Sequence, residues 1–259
     1  MDLFQLDPTQ MLSFLLTLLR ISLVVFLLPF FGGQGIPNLV KAALTLILTL
    51  GFWPHLSFPG AAMPAHPLNM ALMVLGELIL GLVLGLLVHI IFAAVQTAGQ
   101  VIGFQMGFAM MNVVDPMTGV SEAITAQFLY MITLLLFLSM NGHLYMLKGF
   151  SHSFELVPPG GLLITPGLVD QVVTFSRQIF VLAVKIAAPV MAAVFLVDLA
   201  LALIGRAAPQ MNVLFVGFPL KIAVGFLFIS LVFSLLARFM EQFVRTIVPL
   251  YNGVLRAAG

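Results

Sequence analysis

The sequence contains no cysteine and very little charge. Its 259 residues include ten Lys and Arg and nine Asp and Glu, so that charged residues make up 7% of the chain and the formal net charge is +1. Without cysteine there is no disulfide framework, no thiolate metal site and no cysteine nucleophile. A net charge so close to zero provides no basic field for nucleic acid, so we expect no nucleic-acid partner.

The scarcity of charge also excludes a water-soluble domain. A soluble domain carries about 25% charged residues, whereas 62% of this chain is hydrophobic and its mean hydropathy is +1.19. Too few polar side chains are present to cover the surface of a soluble fold. We therefore interpret the chain as an integral membrane protein of the all-α class, with about six long apolar helices arranged as hairpins.

Motifs of catalysis and metal binding are missing as well. The five histidines are scattered, with no H-E-x-x-H pattern, so we expect no metal site. The chain has no G-x-S-x-G, no P-loop and no paired-Asp arrangement typical of catalysis. We expect neither a catalytic residue nor a cofactor.

Long apolar stretches are what the chain has in abundance. A bilayer crossing takes about 20 residues, and six stretches approach or exceed that length. They cover residues 9–31, 39–53, 68–95, 126–150, 177–204 and 213–237. The tight connection at 205–212 predicts that the last two form an antiparallel hairpin. In the third stretch, Gly81 and Gly85 form a G-x-x-x-G motif, whose spacing lets two helix backbones approach closely in lipid.

Five ionisable residues lie inside these apolar stretches: Arg20, Glu77, Lys185, Asp198 and Lys221. A charge at the bilayer centre costs about 2.5–3.5 kcal/mol on translocon scales, so such residues usually pair or face water. Asp198 and Lys221 lie at similar distances from the turn that joins the last two stretches, which places them at similar depth in a hairpin. We favour buried charge pairing of these two side chains over a proton relay, and the sequence leaves both open.

One segment near the middle of the chain is typical of neither a membrane span nor a solvated linker. Residues 103–119 (GFQMGFAMMNVVDPMTG) are apolar, rich in methionine and interrupted by glycine. The methionines have two interpretations: flexible filling of irregular space in a core, or a deformable seal that closes a pore by excluding water. Non-helical backbone at membrane depth is tolerated only when it is buried in protein or lines a cavity, which favours the seal.

Three stretches together match motifs of a known family. They are 98–116 (AGQVIGFQMGFAMMNVVDP), 134–147 (LLLFLSMNGHLYML) and 205–225 (GRAAPQMNVLFVGFPLKIAVG). In this order they closely resemble the FliR family of bacterial flagellar export-gate proteins, which is homologous to the T-type subunit of type III secretion injectisomes. The resemblance covers nearly the whole chain, and the NGHL at 141–144 leans towards the flagellar branch.

The resemblance implies a non-enzymatic core subunit of the flagellar type III protein export gate, in the bacterial inner membrane at the flagellar basal body. The implied partners are FliP-type, FliQ-type and FlhB-type subunits, unfolded flagellar export substrates and membrane lipid. Bent helical hairpins held largely above the membrane plane are implied too, so the apolar stretches need not be true crossings. We expect one export-gate domain over residues 1–259, with N-terminal helices and a plug loop in 1–125 and helical hairpins in 126–259.

In the family, the loop that corresponds to residues 106 to about 122 acts as a plug in the pore. The gate residues that the resemblance implies are Met106, Phe108, Met110, Met111, Asn112, Asp115, Pro116 and Met117. Two alternatives from other classes stay open: a six-helix permease for a small solute, and an intramembrane enzyme. The inverted repeat expected of many secondary transporters is not visible in this sequence.

Overall fold

The computed structural model describes residues 8–31, 36–53, 66–108, 124–158, 160–162 and 165–258. These residues form α-helices and their connections, with no β-strand among them, which confirms the predicted all-α fold. The helices, numbered in chain order, are α1 (Pro8–Leu27), α2 (Asn38–Phe52), α3 (Pro67–Met106), α4 (Ile124–Ser139), α5 (Gly142–Leu156), α6 (Pro166–Ala207) and α7 (Val213–Ala258).

The predicted number of about six long apolar helices is slightly higher than the number among the described residues. Of the helices described, α1, α3, α6 and α7 are long and apolar enough to cross a membrane, and α4 with α5 provides a fifth only as one broken span. At 15 residues, α2 is about 22 Å long, shorter than a hydrocarbon core of about 30 Å. The predicted stretch at 126–150 is broken because Asn141 adopts a left-handed conformation (φ 57°), which Asn tolerates better than most residues.

Three helices are longer than the apolar stretches that predicted them. With 40, 42 and 46 residues, α3, α6 and α7 have contour lengths of about 60–70 Å. Residues 96–102, which follow the apolar stretch 68–95, belong to α3, and so do residues 103–106, which lie in the segment expected to be non-helical. Packing overrides the local glycine content here, because Ala98, Ile102 and Met106 continue one buried face of the helix at i, i+4 spacing.

Contacts group the chain into two compact units, each built from segments that are distant in sequence. Unit 1 comprises Met1–Ile90, Asn141–Ser176 and Val244–Gly259, and unit 2 comprises Ile91–Met140 and Arg177–Phe243. Helices α3, α6 and α7 each contribute residues to both units. The predicted single domain over residues 1–259, divided after residue 125, stays a prediction.

In unit 1, helix α1 packs against the glycine face of α3. A β-carbon at Gly81 would lie 3.0 Å from the backbone oxygen of Arg20 and 3.0 Å from Leu23 Cβ. A β-carbon at Gly85 would lie 2.7 Å from Leu27 Cβ. Both glycines that the sequence marked for helix packing therefore lie where α1 approaches α3, at distances that a larger residue would not allow.

The same two helices are joined by a buried ion pair. Arg20 Nε donates to Glu77 Oε2 at 2.6 Å, and Arg20 Nη2 donates to Glu77 Oε1 at 2.9 Å. The side chains are 0% and 2% exposed. The guanidinium carbon also lies 4.3 Å from the centre of the Phe154 ring. A two-pronged pairing of this kind fixes the relative position of the helices as well as balancing charge.

Arg20 also closes the C-terminal end of α5. Its Nη1 donates to the carbonyl oxygens of Ser153 (3.2 Å) and Val157 (3.0 Å). Carbonyls at a helix C-terminus lack partners within the helix, and a cation there interacts favourably with the helix dipole. On the other side of the pair, Glu77 Oε1 accepts the backbone N–H of Gly160 at 2.9 Å. The ion pair thus ties α1, α3, α5 and the turn after α5 together.

We expect removal of one partner of this pair to cost more than removal of both. Arg20→Met or Glu77→Leu alone leaves a buried charge without compensation and should destabilise the protein by about 3–5 kcal/mol. The double variant should recover part of that loss, because two apolar side chains need no counter-charge. Thermal unfolding of the purified variants, followed by helical circular dichroism, measures the difference.

The matched control for this experiment is the solvent-exposed pair of His152 and Glu155. Their side chains are 48% and 67% exposed, so Glu155→Gln should change stability by less than about 1 kcal/mol. A double variant of Arg20 and Glu77 that is no more stable than the weaker single variant would contradict the interpretation as a charge pair.

Candidate gate segment and the hairpin that holds it

The packed core of unit 2 surrounds the residues where α3 ends. Its buried members come from α3, α4, α6 and α7: Val95, Ala98, Ile102, Met106, Leu129, Ala183, Ile186, Ala187, Val190, Val194, Ile229, Val232 and Leu236. Met106 is the last residue of α3 and is 0% exposed. The predicted gate segment therefore begins inside a packed core.

Gly225 of α7 provides the space that the Met106 side chain occupies. A β-carbon at position 225 would lie 2.6 Å from Met106 Cγ, 2.7 Å from its Sδ and 2.8 Å from its Cε. Carbon atoms do not approach so closely without repulsion, so a larger residue at 225 would displace the methionine. The long, flexible side chain of Met106 therefore packs directly against the backbone of Gly225.

Helix α3 ends in a Schellman motif. The N–H of Gly107 donates to the carbonyl of Phe104 at 3.1 Å, and the N–H of Phe108 donates to the carbonyl of Gly103 at 3.0 Å. Gly107 has φ +92°, which favours glycine because no β-carbon clashes there. A β-carbon at 107 would also lie 2.7 Å from the ring of Phe218. Backbone conformation and neighbouring ring both require glycine at this position.

The first aromatic residue after α3 also contacts α7. The rings of Phe108 and Phe226 meet edge to face, with their centres 6.4 Å apart. Phe108 is partly buried against the core of unit 2. The chain therefore leaves α3 in a defined direction, with Met106, Gly107 and Phe108 each in contact with α7.

The other end of the segment is fastened as well, where α4 begins. Thr125 Oγ1 donates to the carbonyl of Gly99 at 2.7 Å. A β-carbon at Gly99 would lie 2.4 Å from Ala126 Cα. The start of α4 is thus in direct backbone contact with α3, about two helical turns before Met106.

Of the eight predicted gate residues, Met106 and Phe108 lie in the described part of the chain, and both contact the core of unit 2. The other six lie outside the described residues: Met110, Met111, Asn112, Asp115, Pro116 and Met117. The surroundings of Met106 are those of the gap-filling interpretation of methionine. A seal formed by the remaining methionines stays a prediction.

Sequence reasoning missed the partners of this segment on α7. The end of α3 at Gly107 could have been predicted from the sequence, because glycine is the usual residue just after a helix C-terminus. No sequence pattern identified Phe218, Gly225 and Phe226 as partners of the segment. Their position opposite Met106 and Phe108 depends on how distant parts of the chain pack.

Helices α6 and α7 form the predicted antiparallel hairpin within unit 2. Lys221 Nζ contacts Asp198 Oδ1, and a β-carbon at Gly217 would lie 3.1 Å from Leu201 Cδ1. The Asp198 side chain is 47% exposed and that of Lys221 is 22% exposed. The two charges are therefore in contact but not buried within this chain, because both lie towards the outer side of the hairpin.

The remaining ionisable candidates fall in different places. Arg20 and Glu77 pair with each other in unit 1, whereas Lys185 lies on the exposed side of α6 in unit 2. Within the described residues, no group of three or more His, Asp or Glu side chains is arranged to hold a metal ion.

Comparison with known proteins assigns the chain to a family. The family model described as "Bacterial export proteins, family 1" matches residues 11–247. The chain is 36% identical over 231 residues to the flagellar biosynthetic protein FliR of Bacillus subtilis, covering 86% of this chain and 87% of that protein. It is 29% identical over 244 residues to FliR of Escherichia coli, covering 93% of each.

A relative with a different name matches too. The chain is 29% identical over 215 residues to the surface presentation of antigens protein SpaR of Salmonella typhimurium, covering 83% of this chain and 80% of that protein. The family model overlaps each of the helices described above. The chain belongs to the bacterial export proteins, family 1, as a FliR-type flagellar export protein.

Proposed function

We propose that this chain is a core subunit of the flagellar type III protein export gate, in the bacterial inner membrane at the flagellar basal body. It forms the export channel with FliP-type and FliQ-type subunits and works with an FlhB-type subunit. Unfolded flagellar proteins are the substrates, and the chain itself has no catalytic role. The family match over residues 11–247 and the FliR relatives support this assignment.

We further propose that residues 106 to about 122 close the pore to small molecules. The observation that carries this proposal is the fastening of the segment at both ends within unit 2. Met106 is seated against Gly225, and Thr125 is bonded to Gly99. Between them, residues 109–123 contain three of the chain's methionines and no basic residue.

The physical basis of the closure is exclusion of water. An apolar constriction closes a pore by dewetting, and an unbranched methionine side chain fills irregular space and moves aside when a substrate passes. Fixed ends return the segment to the same place after each passage. The contact between Asp198 and Lys221 serves in this proposal to neutralise two charges on the hairpin, and no proton relay is assigned to it.

Isolation of the chain tests the assignment as an export-gate subunit. The tagged chain, purified in mild detergent from cells that express its genomic neighbours, should elute as one complex with FliP-type and FliQ-type subunits. The purified chain alone should show no transport. Solute transport by the isolated chain would support the six-helix permease instead.

Deletion of residues 109–117 tests the closure. The fastened ends remain, so the complex should assemble, yet ions and small dyes should leak across the membrane of cells that express it. Double substitution Met110→Ser/Met111→Ser should cause a smaller leak, because it removes apolar bulk but keeps the segment. An ion-sensitive fluorescent reporter measures both.

The matched control for the leak is Met211→Ser, in the connection between α6 and α7, where the side chain is 45% exposed. This variant should leak no more than the unaltered protein. If the complex assembles and still does not leak after deletion of residues 109–117, the result would contradict the proposed closure.

The close contact of Met106 with Gly225 predicts that substitutions at these two positions have coupled effects on stability. Met106→Ala removes a buried side chain and should cost about 2–5 kcal/mol, and Gly225→Ala should be destabilising because its β-carbon meets that side chain. In the double variant the alanines fit together, so its loss of stability should be smaller than the sum of the single losses. Thermal melting in detergent measures the cycle. If the two losses of stability add in the double variant, the result would contradict a direct contact between Met106 and Gly225.

A further inference from the structure

Of the five ionisable residues inside the apolar stretches, four are paired within the chain. Arg20 pairs with Glu77, and Asp198 contacts Lys221. The fifth, Lys185, lies on the exposed side of α6 in unit 2, and no carboxylate of the described residues contacts it. A charge in an apolar setting usually pairs or faces water. The ammonium group of Lys185 therefore needs a partner that the described part of the chain does not provide.

The exposed surface of α6 is apolar on both sides of Lys185. Large exposed hydrophobic side chains begin before it at Val169 and Val173 and continue after it to Ile204. At about 1.5 Å per residue, Lys185 lies about 24 Å from Val169 and about 28 Å from Ile204 along the helix. The nearest polar residue of α6 is Gln178, about 10 Å away along the axis. Lys185 thus lies well inside this apolar surface and not at its end.

The backbone at Lys185 lacks a helical partner as well. Pro189 lies inside α6, and proline has no N–H, so the bond that residue 189 would donate to the carbonyl of Lys185 is missing. A carbonyl without a donor is costly in an apolar environment. The same residue therefore presents two groups that require a polar partner: a cationic donor on its side chain and an acceptor on its backbone.

The side chains next to Lys185 on the same side of α6 are small. Ala188 and Ala192 follow it by three and seven residues, the spacing of one helix face, and both are exposed. Small side chains at this spacing let the backbone of another helix approach closely. A helix seated on these two alanines would bring its own side chains within reach of the ammonium and the carbonyl of Lys185.

We propose that an apolar helix of another subunit packs against this part of α6 and pairs an Asp or Glu carboxylate with Lys185. The carboxylate balances the charge, and a hydroxyl or amide group beside it donates to the carbonyl that Pro189 leaves without a donor. A lipid phosphate would balance the ammonium but would donate nothing to the carbonyl. The inference rests on the proposed function only in that the chain works within a complex of several subunits.

Carbodiimide coupling in the purified complex tests the pairing directly, because the reagent joins an amine to a carboxylate that contacts it. The complex is treated with a membrane-permeant carbodiimide, and the joined peptides are identified by mass spectrometry. The expected product links Lys185 to an Asp or Glu of another subunit. Lys185→Arg is the matched control, since it keeps the charge and should assemble, whereas a guanidinium gives no such product.

Replacement of Lys185 by an apolar side chain should weaken the complex. With Lys185→Met, the amount of partner subunit retained after washing should fall about tenfold or more, because the carboxylate is left without its counter-charge. Lys148→Met is the control, since Lys148 is exposed on α5 in unit 1, and retention should not change. Replacing the identified carboxylate by leucine together with Lys185→Met should restore retention.

A complex in which Lys185 forms no product with another subunit overturns the inference. Acetylation by a water-soluble amine reagent then separates the alternatives: Lys185 faces water if it reacts as readily as Lys148, and lies against lipid if it is protected. Both results leave the assignment as an export-gate subunit intact. A product between Lys185 and a subunit that is not part of an export apparatus would instead support the pairing and contradict the assignment.

Discussion

The ion pair between Arg20 and Glu77 is the interaction on which the arrangement of unit 1 depends. A guanidinium taken out of water must find acceptors, and this one finds a carboxylate on α3 together with the carbonyls of Ser153 in the last turn of α5 and of Val157 just after it. The glycines of α3 let α1 approach closely enough for the pair to form. In a chain with so few charges, two of them thus set the register of three helices.

Unit 2 relies on shape rather than charge. Its core is aliphatic, and the segment proposed to close the pore leaves it through three consecutive residues that contact α7. Glycine lies at three close contacts: at 99 against the backbone of α4, at 107 where the chain turns beside the Phe218 ring, and at 225 against the Met106 side chain. The described residues on both sides of the segment, Met106–Phe108 and Thr125, are thus held by contacts within unit 2.

Several features were predictable from residues alone. The hydropathy indicated apolar helices, the short connection at 205–212 predicted the hairpin, and the similar distances of Asp198 and Lys221 from it predicted their similar depth. The breaks were harder to foresee. Asn141 interrupts a stretch that reads as one span, and residues 103–106 remain helical despite their glycine, because Ile102 and Met106 continue a buried face whose partners lie on α6 and α7.

The sequence by itself determined the class of the protein, since a chain with 7% charged residues cannot cover a soluble surface and three ordered motifs indicate its family. It also determined which helices are apolar, because composition and period are local properties. Only the tertiary structure decided that Arg20 pairs with Glu77, that Gly225 faces Met106 and that the outer side of the α6–α7 hairpin is left uncovered. These features depend on how segments that are distant in sequence pack together, and a local sequence pattern does not specify which distant segment packs against it.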